Sequence, residues 1–97
     1  MHMSEMQKAA YKNSVEHGWC DPKQGVPEQL CLIHSEVSEV LQAYRDKNDN
    51  HIGEELADIV LRVMFTSSEL NINLEEEILK KHEKNKLRPY RHGNKRC

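Results

Sequence analysis

The sequence predicts an all-α protein, a bundle of four helices, and three observations carry that expectation. Apolar residues recur at three- and four-residue steps, first through Leu30, Ile33, Val37, Val40 or Leu41 and Tyr44, then through Ile52, Leu56, Ile59, Val60 and Val63. Helix-starting and helix-stopping residues (Gly18, Pro27, Asp49-Asn50, Pro89) fall at intervals that suit four helices. No stretch shows the alternation of a half-buried strand.

The first helix is expected over residues 4–17, with Ser4 a candidate cap and Gly18 the stop; its apolar spacing (Met3, Met6, Ala10) is weak. Residues 18–26 are rich in turn formers. Pro27 suits the first position of the second helix, where a missing N–H loses nothing. Its stripe ends among the charged residues 45–50, and Asp49 or Asn50 is placed to cap a third helix that fades near residues 71–73. The fourth helix, over residues 74–87, has Glu75, Glu76 and Glu77 in its first turn and lysines later, complementing the helix dipole. Pro89 ends it. Short connections then favour antiparallel neighbours.

A chain of 97 residues is read as one domain, residues 1–97. So short a domain buries only roughly 60–65% of the surface of its unfolded chain. With aromatics at 5% and apolar residues at 37%, its core is thin, and self-association is a natural way to cover leftover stripes. Fourteen Lys+Arg against sixteen Asp+Glu leave no basic field to recruit nucleic acid. No apolar run approaches the roughly 20 residues of a membrane span. Cys20, Cys31 and Cys97 form an odd, unpaired set, and the start shows no secretory signal, so a reduced, cytoplasmic protein is expected. Charge is uneven along the chain: acids dominate the centre, while residues 80–97 are basic, with Glu83 their only acid.

Glu36 and Glu39 lie three apart on the second helix, as do Glu55 and Asp58 on the third. At that spacing Cβ atoms are roughly 5–6 Å apart on one face. Each acid directly precedes a member of an apolar stripe: Val37, Val40, Leu56 and Ile59. One such pair alone is usually a solvated face. Two pairs on consecutive helices, both at the stripe's edge, can bring four carboxylates together, where they repel one another and resist desolvation. A divalent cation resolves that, and an all-oxygen donor set suits magnesium or manganese rather than zinc. A di-iron carboxylate bundle would need Glu-x-x-His, and no histidine has a glutamate three residues before it. Nucleotide-binding glycine loops and H-E-x-x-H are also absent.

The stretch 32–45, reading LIHSEVSEVLQAYR, followed by EELADIV at residues 54–60, resembles the MazG-like branch of the all-α NTP pyrophosphohydrolases. That family's mark is E-x-x-E followed by E-x-x-D, and here 15 residues separate Glu39 from Glu55. Lys81, Asn85 and Arg88 resemble its K-x-x-x-N-x-x-R ending, so the similarity runs over roughly residues 15–95. The first helix departs from it; base recognition in the family draws partly on that region. The resemblance implies a four-helix fold assembled as a dimer or dimer of dimers. It implies Mg2+ (Mn2+ as substitute) held by Glu36, Glu39, Glu55 and Asp58, and hydrolysis of nucleoside triphosphates, dNTPs foremost, to monophosphate and pyrophosphate. Glu36 or Glu39 would be the general base.

Lys81, Asn85 and Arg88 fall within roughly 60° of one helical face and can grip a triphosphate, although such a face is also ordinary solvated surface. Trp19, in the turn-rich loop 17 residues before Glu36, can stack on a nucleobase or act as a packing lid. Tyr90 and Arg91 are candidates for a further phosphate or base contact, and His34 faces away from Glu36. Two other functions fit the pattern: a non-catalytic helical interaction module, and a metal-bound bundle that holds nucleotide without turnover.

Overall fold

The computed structural model describes residues 2–19 and 25–89. Among them are four α-helices, α1 (Met3–Glu16), α2 (Val26–Arg45), α3 (Ile52–Glu69) and α4 (Leu74–Lys86), a single 3-10 turn at Asp49–His51, and no strand. Every expected helix is present; α4 starts at Leu74 as expected, and the other ends are displaced by a few residues at most.

The displacements have local causes. α1 starts ahead of Ser4, because the Met6 N–H already reaches the His2 carbonyl at 3.0 Å; Ser4 is inside the helix. α2 starts at Val26, so Pro27 takes its second position, which still lacks an intrahelical acceptor for its N–H. Neither Asp49 nor Asn50 caps α3. They form the 3-10 turn, and His51 stands at the helix boundary without a side-chain cap. At α4 the cap is Asn73, whose Oδ1 accepts from the Glu76 N–H at 3.2 Å. α4 stops at Lys86, one residue short of the expected end.

Three helices end in the same way. After α1, the Gly18 and Trp19 N–H groups bond back to Val15 and Ser14 carbonyls; after α2, Lys47 and Asn48 bond back to Tyr44 and Ala43; after α3, Asn71 and Ile72 bond back to Ser68 and Ser67. This closure needs a left-handed residue, here Gly18 (φ 68), Lys47 (φ 57) and Asn71 (φ 56). Gly18 adopts it freely, whereas Lys47 bears a steric cost of about 1–2 kcal/mol.

The centre of the fold is an antiparallel α2–α3 hairpin, shown by the register Gln29 to Thr66 and Glu36 to Arg62. α1 packs on α3, and α4 leans on α1. The core sits in the last turns of α3: Met64 and Phe65 are buried, and Tyr11 of α1 stacks on Phe65 with centroids 5.0 Å apart. Polar groups there are satisfied, as where Thr66 Oγ1 donates to Gln29 Oε1 at 2.9 Å. α1 buries a glutamine rather than an apolar residue, which accounts for its weak apolar spacing. The Gln7 side chain bonds Ser68, Ile72 and Leu74, fastening α1 to the α3–α4 turn.

The apolar stripes do not all meet within one chain. Ile33, Val40, Ile52, Ile59 and Val63 are half-buried, but Leu30, Val37, Leu41, Tyr44, Leu56 and Val60 stay exposed, Leu41 at 49% and Tyr44 at 70%. The radius of gyration is 15.8 Å, against about 13 Å for a compact domain of this length. No helix among the described residues is long and apolar enough to cross a membrane.

Candidate metal and nucleotide site

Because α2 and α3 run antiparallel, Glu36 and Glu39 on one face the first turns of the other. Oxygens of Glu36, Glu39 and Glu55 all lie within 4.8 Å of one another; Glu36 and Glu55 are half-buried and Glu39 is exposed. Burial, reinforced by the charges of Glu39, Glu36 and Asp58 and by a hydrogen bond with Glu39, pushes the Glu55 carboxyl above its ordinary value. Asp58 is outside this trio. It is exposed, one turn further along α3.

A cavity of about 240 Å³ adjoins the carboxylates. Glu36, Asp58, Leu61 and Arg62 line it from α2 and α3; Ala10, Asn13 and Ser14 of α1, with Trp19, close the other side. Trp19 stacks on His17 at 4.6 Å and is otherwise open, 67% exposed. Glu36 thus belongs to both halves of the site, the acidic trio and the cavity wall.

Arg62 is a residue the spacing of acids did not single out. Its Nε donates to Glu36 Oε1 at 3.0 Å, with the Glu36 side chain only 14% exposed and that of Arg62 31%. A signal for it existed: Arg62 is the one charge in the apolar run 59–65, placed four residues after Asp58 and seven after Glu55, hence on their face.

The described part of the basic ending, residues 80–89, is elsewhere. Lys81 lies with Lys80 and Lys84, among Glu77 and Glu83, around a shallow depression on α4, and no α4 residue lines the cavity beside the acids. Asn85 is exposed near the end of α4, and Arg88 lies beyond its last residue, its N–H bonded to the Asn85 carbonyl at 3.2 Å. His34 is exposed and apart from the trio, as expected. Tyr90, Arg91, Cys20 and Cys97 lie outside the described residues.

The model of the MazG nucleotide pyrophosphohydrolase domain matches residues 26–92. The chain belongs to the MazG nucleotide pyrophosphohydrolase family. No curated protein and no solved structure matches. The MazG match takes in α2, α3 and α4 with both acidic motifs and begins after α1, so the α1 wall of the cavity lies outside it. The donor set fits the divalent cation that MazG domains generally use: oxygens from three side chains converge, and the Glu55 carboxyl is raised by burial and by the neighbouring carboxylates, both of which a cation would offset.

Proposed function

We propose that this chain is a magnesium-dependent pyrophosphohydrolase that cuts nucleoside triphosphates, dNTPs foremost, to the monophosphate and pyrophosphate. The observation that carries this reading is the convergence of Glu36, Glu39 and Glu55 beside a cavity, in a chain of the MazG family. Glu36, Glu39 and Glu55 hold Mg2+, or Mn2+ in its place, and Asp58 joins them from the cavity side. When bound, the cation neutralises phosphate charge and makes a nearby water more acidic. Glu39, the exposed carboxylate, takes the proton of the attacking water, while Glu36 is held by Arg62. Trp19 stacks on the base across the cavity mouth, with Tyr90 and Arg91 as further contacts.

Lys81, Asn85 and Arg88 bind the triphosphate. One chain does not bring α4 to the cavity, so a second copy presents it, and the exposed apolar band on α2 and α3 supplies the surface for a homodimer or dimer of dimers. A helical interaction module would also use such a band, but it has no need of converging acids. The cellular setting is the cytoplasm, where the enzyme cleans or regulates the nucleotide pool.

Pyrophosphate release from the four dNTPs and four NTPs, with Mg2+ and with chelator, tests this. Monophosphate and pyrophosphate are expected in equal amounts, and only with the metal. Orthophosphate as the product, or turnover indifferent to chelator, would end the proposal.

A further inference from the structure

Arg62 is the one lysine or arginine among the described residues lining the cavity. The bond from its Nε to Glu36 Oε1 uses one of the five N–H donors of the guanidinium fork. That bond fixes the fork on the wall shared with Asp58 and Leu61, next to the acidic trio. A planar fork anchored through Nε suits an anion that offers two adjacent oxygens, as phosphates do. Lys80, Lys81 and Lys84 of α4 line a different depression.

We propose that Arg62 is a phosphate-receiving guanidinium of this site, supplied by the chain's own cavity wall and positioned by Glu36, and that without substrate it is the internal counter-ion competing with a divalent cation for Glu36. The substrate part rests on the pyrophosphohydrolase reading; the competition does not. A positive charge bonded to one member of the trio repels an arriving cation and withholds an oxygen from it. Once phosphates enter, the same charge faces an anion, and the opposition becomes attraction.

The test uses the full chain with Arg62→Met and Arg62→Lys. Mn2+ affinity is read by electron paramagnetic resonance without nucleotide, inorganic pyrophosphate affinity by calorimetry with Mn2+ present, and kcat/KM on four dNTPs. Arg62→Met is expected to bind Mn2+ several-fold tighter. Its pyrophosphate affinity and kcat/KM should fall roughly ten- to hundredfold, alike for every base. Arg62→Lys should keep the wild-type Mn2+ affinity, since the charge remains, but recover only part of the pyrophosphate affinity, since the fork is gone. A merely structural ion pair makes the opposite forecast for the metal: Arg62→Met would weaken Mn2+ binding, and that result overturns the proposal. So does unchanged pyrophosphate affinity. Should Arg62→Met fail to fold, Arg62→Lys decides, and wild-type pyrophosphate affinity in it is the overturning result. Wild-type chain that binds Mn2+ and pyrophosphate, responds to Arg62 as stated and hydrolyses no nucleotide would remove the proposed function while upholding the role of Arg62.

Discussion

The side-chain amide of Gln7 donates to the carbonyl of Ile72 at 2.8 Å, 65 residues away in the chain. The same amide reaches Ser68 Oγ at 3.1 Å, and its oxygen accepts from the Leu74 N–H at 3.1 Å. One buried glutamine therefore sets the angle at which α4 leaves α3, with left-handed Asn71 making the bend. Gln7→Ala would strand a carbonyl and an N–H and is expected to cost about 2–4 kcal/mol. Urea unfolding checks it, and a loss below about 0.5 kcal/mol would show the turn closes without Gln7.

Stability should depend on pH through Glu55. Its carboxyl sits above the ordinary value of 4.5, so the folded chain holds this proton more tightly than the unfolded one. The resulting stability is complete below the ordinary value and is lost as pH rises through the raised folded value. In chelator, Glu55→Gln should therefore raise Tm more at pH 7 than at pH 4. Equal shifts at both values would contradict the crowding of carboxylates seen here.

Removing a carboxylate from the site separates fold from function. Glu39→Ala and Asp58→Ala should each lower Mg2+-dependent turnover at least about a hundredfold, with helix content by circular dichroism unchanged. Near-full activity in either variant would exclude that residue from the metal site.

The basic ending and the cavity mouth should give separable phenotypes. Lys81→Ala and Arg88→Ala each remove charge-assisted bonds of about 1.5–3 kcal/mol, which should lower kcat/KM similarly for all four dNTPs. Trp19→Ala should instead change the ranking among bases or raise KM, with the metal requirement intact. Four unchanged values in both the Lys81 and the Arg88 variant would leave α4 a solvated basic face.

The exposed band on α2 and α3 sets the expectation for assembly. Light scattering should find a dimer or tetramer, and Leu41→Glu, which puts a charge in the middle of the band, should shift it toward monomer and lower activity. A wild-type monomer at low micromolar concentration with full activity would rule out the second copy as supplier of α4.

The helices and the pairing of acids are legible from the amino-acid sequence alone, because both are written in local spacing. Three-and-four periodicity marks α2 and α3, and E-x-x-E with E-x-x-D puts each pair on one helical face whatever the helix packs against. Helix ends were legible only where the chain itself supplies the cap or the stop, as at Gly18; α3 instead opens through a 3-10 turn that passes over Asp49 and Asn50. Tertiary structure decided what depends on the angle and register between helices. It brought Glu36, Glu39 and Glu55 together while leaving Asp58 one turn away, set Arg62 against Glu36 across 26 residues, and buried Gln7. It also left most of the α2 stripe in solvent and α4 away from the cavity. Periodicity says which residues share a face, but which neighbour that face meets is set by the packing of helices distant in sequence.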